Sequence, residues 1–311
     1  MNRKLMELEL LNARGGTVDM KQLDKERKGD VGEKQVQKML EGYEVIRDIL
    51  LEVGGSYLQL DFLVVCRDRM VILEVKHHQH DYEIIKGQWH FMDGKSCSSP
   101  VQQLERSKSL VNKWLKKRNI FIRIEGYIVW TNPNSQIYGL QKSDQVIRPG
   151  KLGTIINQFD SHYKNPYLKQ LFLDGQIIDS PFYSPQNSSS ESIRAMHCPY
   201  CFQTSLEGKR KRMYCTRCSQ VIELKEIIHY QILFYCALNQ TSTFRVFHIE
   251  QFIGNRISRR TLLTYFKNLL SDQKIIQTNC WTYQLNEPIH LIINKLEIKS
   301  ANFQVITEVG K

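Results

Sequence analysis

Two Cys-x-x-Cys pairs, Cys198-Pro199-Tyr200-Cys201 and Cys215-Thr216-Arg217-Cys218, enclose thirteen residues and constrain the chain more than any other feature. Four thiols in two tight turns suit the tetrahedral thiolate shell of Zn²⁺. The segment between them is too short to bury a core of its own, so metal binding and folding become one event there. No open ligand position is implied, so a structural zinc is expected rather than a catalytic one. Two redox dithiols are the other reading, but no thioredoxin-like strand–helix context accompanies either pair. The remaining cysteines, Cys66, Cys97, Cys236 and Cys280, lie in apolar or mixed surroundings and read as ordinary thiols.

A soluble cytoplasmic protein is expected, and in that compartment cysteine pairs read as metal ligands rather than disulfides. No apolar run approaches the ~18–20 residues of a membrane-spanning helix, so no membrane partner is expected. The opening MNRKLMELELLNARGG mixes charge with leucine and lacks the apolar core of a signal peptide. With 311 residues, 41% of them hydrophobic, the chain has the length of roughly two domains and can bury full cores. Lys plus Arg number 43 against 32 Asp plus Glu, and the net charge of +11 points first to nucleic acid or an anionic surface.

Apolar periodicity predicts a helix over 17–41, ended by Gly42, and another over 101–117 with Pro100 in its first turn. Between them, segments 43–53, 57–65 and 70–75 are dense in β-branched and aromatic residues and are separated by turn sequences, which predicts strands. Shorter strands are expected at 82–85 and 87–92, a buried strand at 125–131, and a helix over 150–173. The order describes a mixed α/β sandwich. A Ser/Pro-rich stretch then reads as a linker. The expected division is 1–179, a linker at 180–196, a cysteine module at 197–222 and a helical domain at 223–311.

The chemistry concentrates on two of the strands. Asp61 lies inside Leu60-Asp61-Phe62-Leu63-Val64-Val65, where an ionised carboxylate is costly without compensation. Glu74 and Lys76 are two apart on the next strand and so project from one face. A short turn at Arg67–Arg69 places Asp61 near Glu74, and two carboxylates on adjacent strands suit a hard cation such as Mg²⁺ or Mn²⁺. Lys76 would orient or activate a water, or stabilise charge on a phosphorane. Glu33, on the preceding helix, would complete the metal's surroundings.

The ordered set Gly29-x-x-Gly32-Glu33, Leu60-Asp61-Phe62, Leu73-Glu74-Val75-Lys76, Gly87-Gln88-Trp89 and Ser99-Pro100-Val101-Gln102-Gln103 resembles the nuclease-related domain (NERD) family of the PD-(D/E)xK phosphodiesterases over about residues 25–135. The resemblance implies a restriction-endonuclease-like mixed sheet flanked by helices, and a metal-dependent nuclease site of Glu33, Asp61, Glu74 and Lys76 with Gln103 beside it. Ser99 stands where the family usually has Asn. An isolated E-x-K reads most simply as an ion pair on a solvated face, and the ordered set favours the site. Family members also lose activity, so a catalytically inactive nucleic-acid-binding or regulatory protein is the alternative. His77, His78 and His80 read as polar residues ending a strand, and Trp89 and Trp114 as core.

The cysteine module resembles a zinc ribbon, with Lys209, Arg210, Lys211 and Arg212 at its tip as candidate phosphate contacts. The three helices and terminal hairpin that follow resemble a winged helix-turn-helix. That resemblance makes 258–270 a DNA-recognition helix, capped by Ser258, with Arg256, Arg259 and Arg260 at its start. Residues 198–260 hold ten Lys/Arg against four Asp/Glu, in keeping with a nucleic-acid partner, DNA first. A plain helical domain packed on a protein is the other reading. Double-strand cutting with one site per chain would favour a homodimer.

Overall fold

The computed structural model describes residues 3–141, 145–177, 194–208, 211–239 and 241–286. The Ser/Pro-rich stretch read as a linker falls, up to residue 193, outside the described residues. The elements are α1 (Arg3–Ala13), α2 (Met20–Met39), β1 (Val45–Val53), β2 (Ser56–Val65), β3 (Arg69–Lys76), β4 (Tyr82–Ile85), β5 (Gln88–Phe91), β6 (Ser96–Cys97), α3 (Pro100–Lys116), β7 (Arg123–Trp130), β8 (Ile137–Tyr138), β9 (Val146–Ile147), α4 (Pro149–Ile156) and α5 (Pro166–Asp174). There follow β10 (Leu206–Glu207), β11 (Arg212–Cys215), β12 (Val221–Glu223), α6 (Leu224–Leu238), β13 (Thr243–Phe244), α7 (Val246–Phe252), α8 (Arg259–Ser271), β14 (Ile275–Gln277) and β15 (Tyr283–Leu285). This is the expected mixed α/β architecture. It divides into two compact units, Arg27–Ser184, and Met1–Glu26 with Pro185–Lys311.

The Arg27–Ser184 unit is built on a five-stranded sheet in the order β1-β2-β3-β7-β9. The β1–β2 and β2–β3 pairs are antiparallel, and β3–β7 and β7–β9 are parallel. Period-two alternation sorts the central strands between two cores. Leu63, Val65, Met70 and Ile72 pack with α3 and α5 side chains such as Leu104, Trp114 and Phe172. Phe62, Val64, Val71 and Leu73 pack with Val36 and Leu40 near the end of α2 and with Leu152 and Ile156 of α4. The sheet is therefore covered on both faces, as strands this apolar demand. A second sheet, β6-β5-β4-β8, brings Tyr82 and Trp89 against Trp130.

The alternation breaks once, at the acidic residues. Leu58 and Leu60 line the same core as Leu63 and Val65, and Ile49 and Leu51 the same core as Ile46, which strict alternation forbids. The switch occurs where the β1–β2 ladder omits the pair Asp48–Asp61, between Arg47↔Phe62 and Ile49↔Leu60. Asp48 there adopts φ +44°, a left-handed conformation that Asp tolerates better than most residues. The kink turns the outer half of the hairpin away from β3, whose ladder with β2 stops at Phe62↔Leu73.

Two expected helices have different bounds. The helix expected over 17–41 is α2, and Asp19, just before it, accepts through Oδ1 from the Lys21 and Gln22 amides of its first turn. The helix expected over 150–173 is two helices, α4 and α5. Pro166 disfavours helix at the residue before it, and Asn165 instead caps α5 by accepting from the Leu168 amide at 2.9 Å.

In the second unit, α1 buries Leu5, Met6, Leu8 and Leu10 in one core with α6, α7, α8 and the cysteine module. Met196 and Leu23 join that core. A buried polar set ties the unit together. His197 faces the Phe202 carbonyl with Nδ1 at 2.8 Å and the Arg14 guanidinium with Nε2 at 2.9 Å, and Arg14 also donates to the Phe252 carbonyl. Burial, with Arg14 beside it, lowers the His197 pKa to about 4, so the ring is a neutral strut. The helices α6, α7 and α8 and the sheet β13-β15-β14 alternate along the chain as three helices closed by a hairpin. Among the described residues, no helix is long and apolar enough to cross a membrane.

Candidate active site

The kink in the β1–β2 hairpin prepares the site. One step beyond the last β2–β3 ladder pair, the register sets Asp61 opposite Glu74. The Val75 amide has lost its strand partner there, and Asp61 Oδ2 accepts from it at 2.7 Å. The Asp61 side chain thus replaces a ladder hydrogen bond, which fixes the carboxylate at the end of β3.

Glu74 is 3% exposed, and its Oε1 accepts from Lys76 Nζ at 2.7 Å and from Gln103 Nε2 at 2.6 Å. Lys76 Nζ also donates to Gln103 Oε1 at 3.1 Å, closing a three-membered ring of contacts. Gln103 arrives in the first turn of α3, whose Ser99 cap accepts from the Gln102 amide at 3.3 Å. Serine performs the capping that Asn would supply at this position. Helix α3 packs closely over Gly126 in β7, where a Cβ would lie 2.7 Å from Leu104 Cδ1 and the leucine would have to shift.

Glu33 approaches from α2. A Cβ on Gly32 would lie 2.6 Å from Thr131 Oγ1 and 3.0 Å from His77 Cβ, so only glycine lets the helix pass this close to the ends of β3 and β7. Gly29 meets no such constraint. Burial, then Asp61 and Asp48, push the Glu33 carboxyl well above its usual range. Burial, then Glu74, push Asp61 up to about 7, against the opposing Val75 amide and Lys76. The acids Glu33, Asp61 and Glu74 and the amine Lys76 are thus gathered in one neighbourhood with Gln103.

This neighbourhood lies within a recognisable family. Residues 28–131 match the family described as Nuclease-related domain, NERD. This part of the chain is similar to nuclease-related domains. All five residues of the acidic site fall inside it, as do the strands that carry them. No curated protein and no solved structure matches the chain.

The matched region contains one acid that sequence reasoning passed over. Asp48 faces Asp61 across the omitted ladder pair, so Asp48, Asp61 and Glu74 stand in a row over three strands. Its Oδ1 accepts from Gln59 at 3.2 Å. An Asp inside Val45-Ile46-Arg47-Asp48-Ile49-Leu50 carries the same signal as Asp61, a carboxylate in an apolar strand. Beyond β3, Asn132 and Ser135 hold the His78 and His80 carbonyls at 2.7 and 2.6 Å, and Arg148 donates to the Asn132 and Ser135 carbonyls. His77 contacts Thr131, and burial lowers its pKa, so these histidines end the strand as expected. Trp89 and Trp114 are buried.

The carboxylates differ from the cysteines in readiness for a metal. Among the described residues, the group of potential ligands whose atoms all lie within 4.8 Å of one another is Cys198, Cys201, Cys215 and Cys218. Their Sγ separations, 3.6 Å for Cys198–Cys218 and 3.7 Å for Cys201–Cys215, match the edge of about 3.8 Å that Zn–S bonds of ~2.3 Å generate in a tetrahedron. The two turns are built alike. Phe202 and Ser219 donate to the Cys198 and Cys215 carbonyls at 2.9 and 2.8 Å, and both take positive φ, +60° and +59°. The cluster is compatible with the expected zinc ribbon.

The basic candidates are dispersed. Lys209 and Arg210 lie outside the described residues, and Lys211 and Arg212 are exposed. Arg256 donates to the Leu206 carbonyl at 2.9 Å, which ties it to the cysteine module. Arg259 lies 3.7 Å from Glu250, and Arg260 is exposed at the start of α8, where Ser258 accepts from the Thr261 amide.

Proposed function

We propose that the protein is a metal-dependent phosphodiester hydrolase acting on DNA, and that the ribbon and the helical module bring the substrate. The reading rests on one observation. A region similar to nuclease-related domains places Lys76, Glu74 and Gln103 in mutual hydrogen-bond contact beside Asp61.

The donor set fits a hard divalent cation, because Asp61 and Glu74 offer carboxylate oxygens, with Lys76 in contact with Glu74. Such an ion, Mg²⁺ or Mn²⁺, would supply Lewis acidity and a more acidic bound water. The chain's own residues have separate tasks. Asp61 and Glu74 would hold the ion. Lys76 places an ammonium where phosphoryl charge develops. Gln103 fixes the rotamers of both Glu74 and Lys76. Glu33, whose carboxyl is pushed above its usual range by burial and by Asp61, would support the ion's surroundings. Zn²⁺ in the four-cysteine cluster is structural, and the protein works in the cytoplasm, as a homodimer where both strands of a duplex are cut.

Purified protein incubated with DNA and Mg²⁺ or Mn²⁺ should cleave it, and Lys76→Ala and Asp61→Ala should each lower the rate by about 10²-fold or more. Equal cutting by both variants and the parent would overturn the assignment. A second reading, binding without cleavage, is favoured by the engagement of Glu74 Oε1 with two neighbouring side chains. It predicts salt-dependent affinity with no cleavage of DNA or RNA under any divalent ion.

A further inference from the structure

Three of the four tryptophans, Trp89, Trp114 and Trp130, are 2%, 3% and 0% exposed, and the fourth, Trp281, is 70% exposed. An indole left in water forgoes one of the largest burial gains any side chain offers. Its position is well defined. Asn279 Oδ1 accepts from the Trp281 and Thr282 amides at 3.0 and 2.9 Å, and Thr278 bonds the Thr282 carbonyl through both its amide and its hydroxyl. The hairpin is anchored two residues on by Tyr283, which stacks on Phe244 and meets Phe266 edge-on at 5.0 Å between centroids. The aromatic ring is therefore presented on a turn that is already ordered.

The surroundings favour one class of partner. Gln277, Thr278, Asn279, Cys280 and Thr282 flank the ring, and the exposed aliphatic side chain among the described residues of this hairpin is Ile276, 42% exposed on β14, so the tip itself is polar. The helix on which β14 packs, α8, carries Arg260 and Lys267, with Arg259 at its start 3.7 Å from Glu250 of α7 and no carboxylate of its own, and Lys274 opens the hairpin. The next acid, Asp272, is paired with Lys225. A cationic helix face joined to a lone exposed indole on a polar tip complements a strand of phosphates that also offers a base face.

Resting on the reading that this module binds nucleic acid, we infer that Trp281 stacks on an unpaired base while the α8 cations hold the adjoining phosphates. The preferred ligand is then a duplex interrupted by a single-stranded segment, or a single strand, rather than blunt duplex. The full-length protein is titrated without divalent cation against a single-stranded oligodeoxythymidylate, a forked duplex and a blunt duplex. Anisotropy of a label on the DNA and the protein's own indole emission are read together. Because the other three indoles are buried, emission should be quenched by the first two probes, and Trp281→Ala should abolish that change. The same variant should weaken binding of those probes by roughly five- to a hundred-fold, with blunt duplex nearly unaffected, and Trp281→Phe should restore most of the loss. Unchanged single-strand affinity in Trp281→Ala, or an equal loss on all three probes, overturns the inference and leaves the hydrolase reading standing. Absence of binding to any probe at low salt overturns both the inference and the nucleic-acid reading of the module. Stacking without cleavage under Mg²⁺ supports the inference and removes the hydrolase reading.

Discussion

The carboxylate row makes a specific prediction about stability. Asp61 is held at about 7 in the fold, against an ordinary 3.8, by burial and by Glu74. The folded state therefore binds more protons than the unfolded chain between these values, and stability falls as pH rises through the window. A displacement of about three pKa units corresponds to ~4 kcal/mol. The side chain retains some exposure, and screening reduces the expected penalty at pH 8 to ~2 kcal/mol. In a unit of this length that is a change in melting temperature of roughly 4–8 °C. The assay is thermal unfolding of metal-free protein at a series of pH values, with Asp61→Asn as the paired variant. The variant should be the more stable at pH 8, less the hydrogen bond to the Val75 amide, and should lose the share of the pH dependence that Asp61 carries, while the share from buried Glu33 remains. Mg²⁺ should stabilise the parent at pH 8 and leave Asp61→Asn nearly unmoved. Identical pH profiles for the two proteins, or equal stabilisation of both by Mg²⁺, would refute the electrostatic account of the site.

Gly32→Ala places a methyl 2.6 Å from Thr131 Oγ1, so α2 must move and carry Glu33 with it. A loss of ~1–3 kcal/mol in denaturant titration is expected, whereas Gly29→Ala, which meets nothing within 4 Å, should be neutral or stabilising. Ser99→Ala removes the cap on α3 and should cost about 1 kcal/mol, while Ser99→Asn should retain it. Native mass spectrometry should find one zinc per chain, and Cys215→Ser or strong chelation should lose it together with the protease resistance of residues 198–223.

Much of the site was legible because its chemistry contradicts its surroundings. Asp61 is an acid in an apolar strand, Glu74 and Lys76 share a face by simple alternation, and the paired cysteines specify their own geometry. Asp48 showed the same contradiction but belonged to no motif. Its significance depends on the β1–β2 register and on a left-handed backbone at that residue, neither of which a local pattern displays. The single helix expected over 150–173 fell to Asn165-Pro166, a local signal that apolar periodicity outweighed.

Composition, spacing and periodicity determine on their own that this chain makes covered strands, a four-thiolate knuckle and a basic helical module, because each is set by residues close in sequence. Which side chains meet was decided by tertiary structure. Glu33 and Gln103 come from helices on opposite faces of the sheet, and Asp61 takes a backbone amide freed by a kink. Gly32 and Gly126 matter only through the atoms a methyl group would strike there. Contacts of that kind depend on how layers pack across long stretches of chain, and short-range sequence patterns carry no record of that distance.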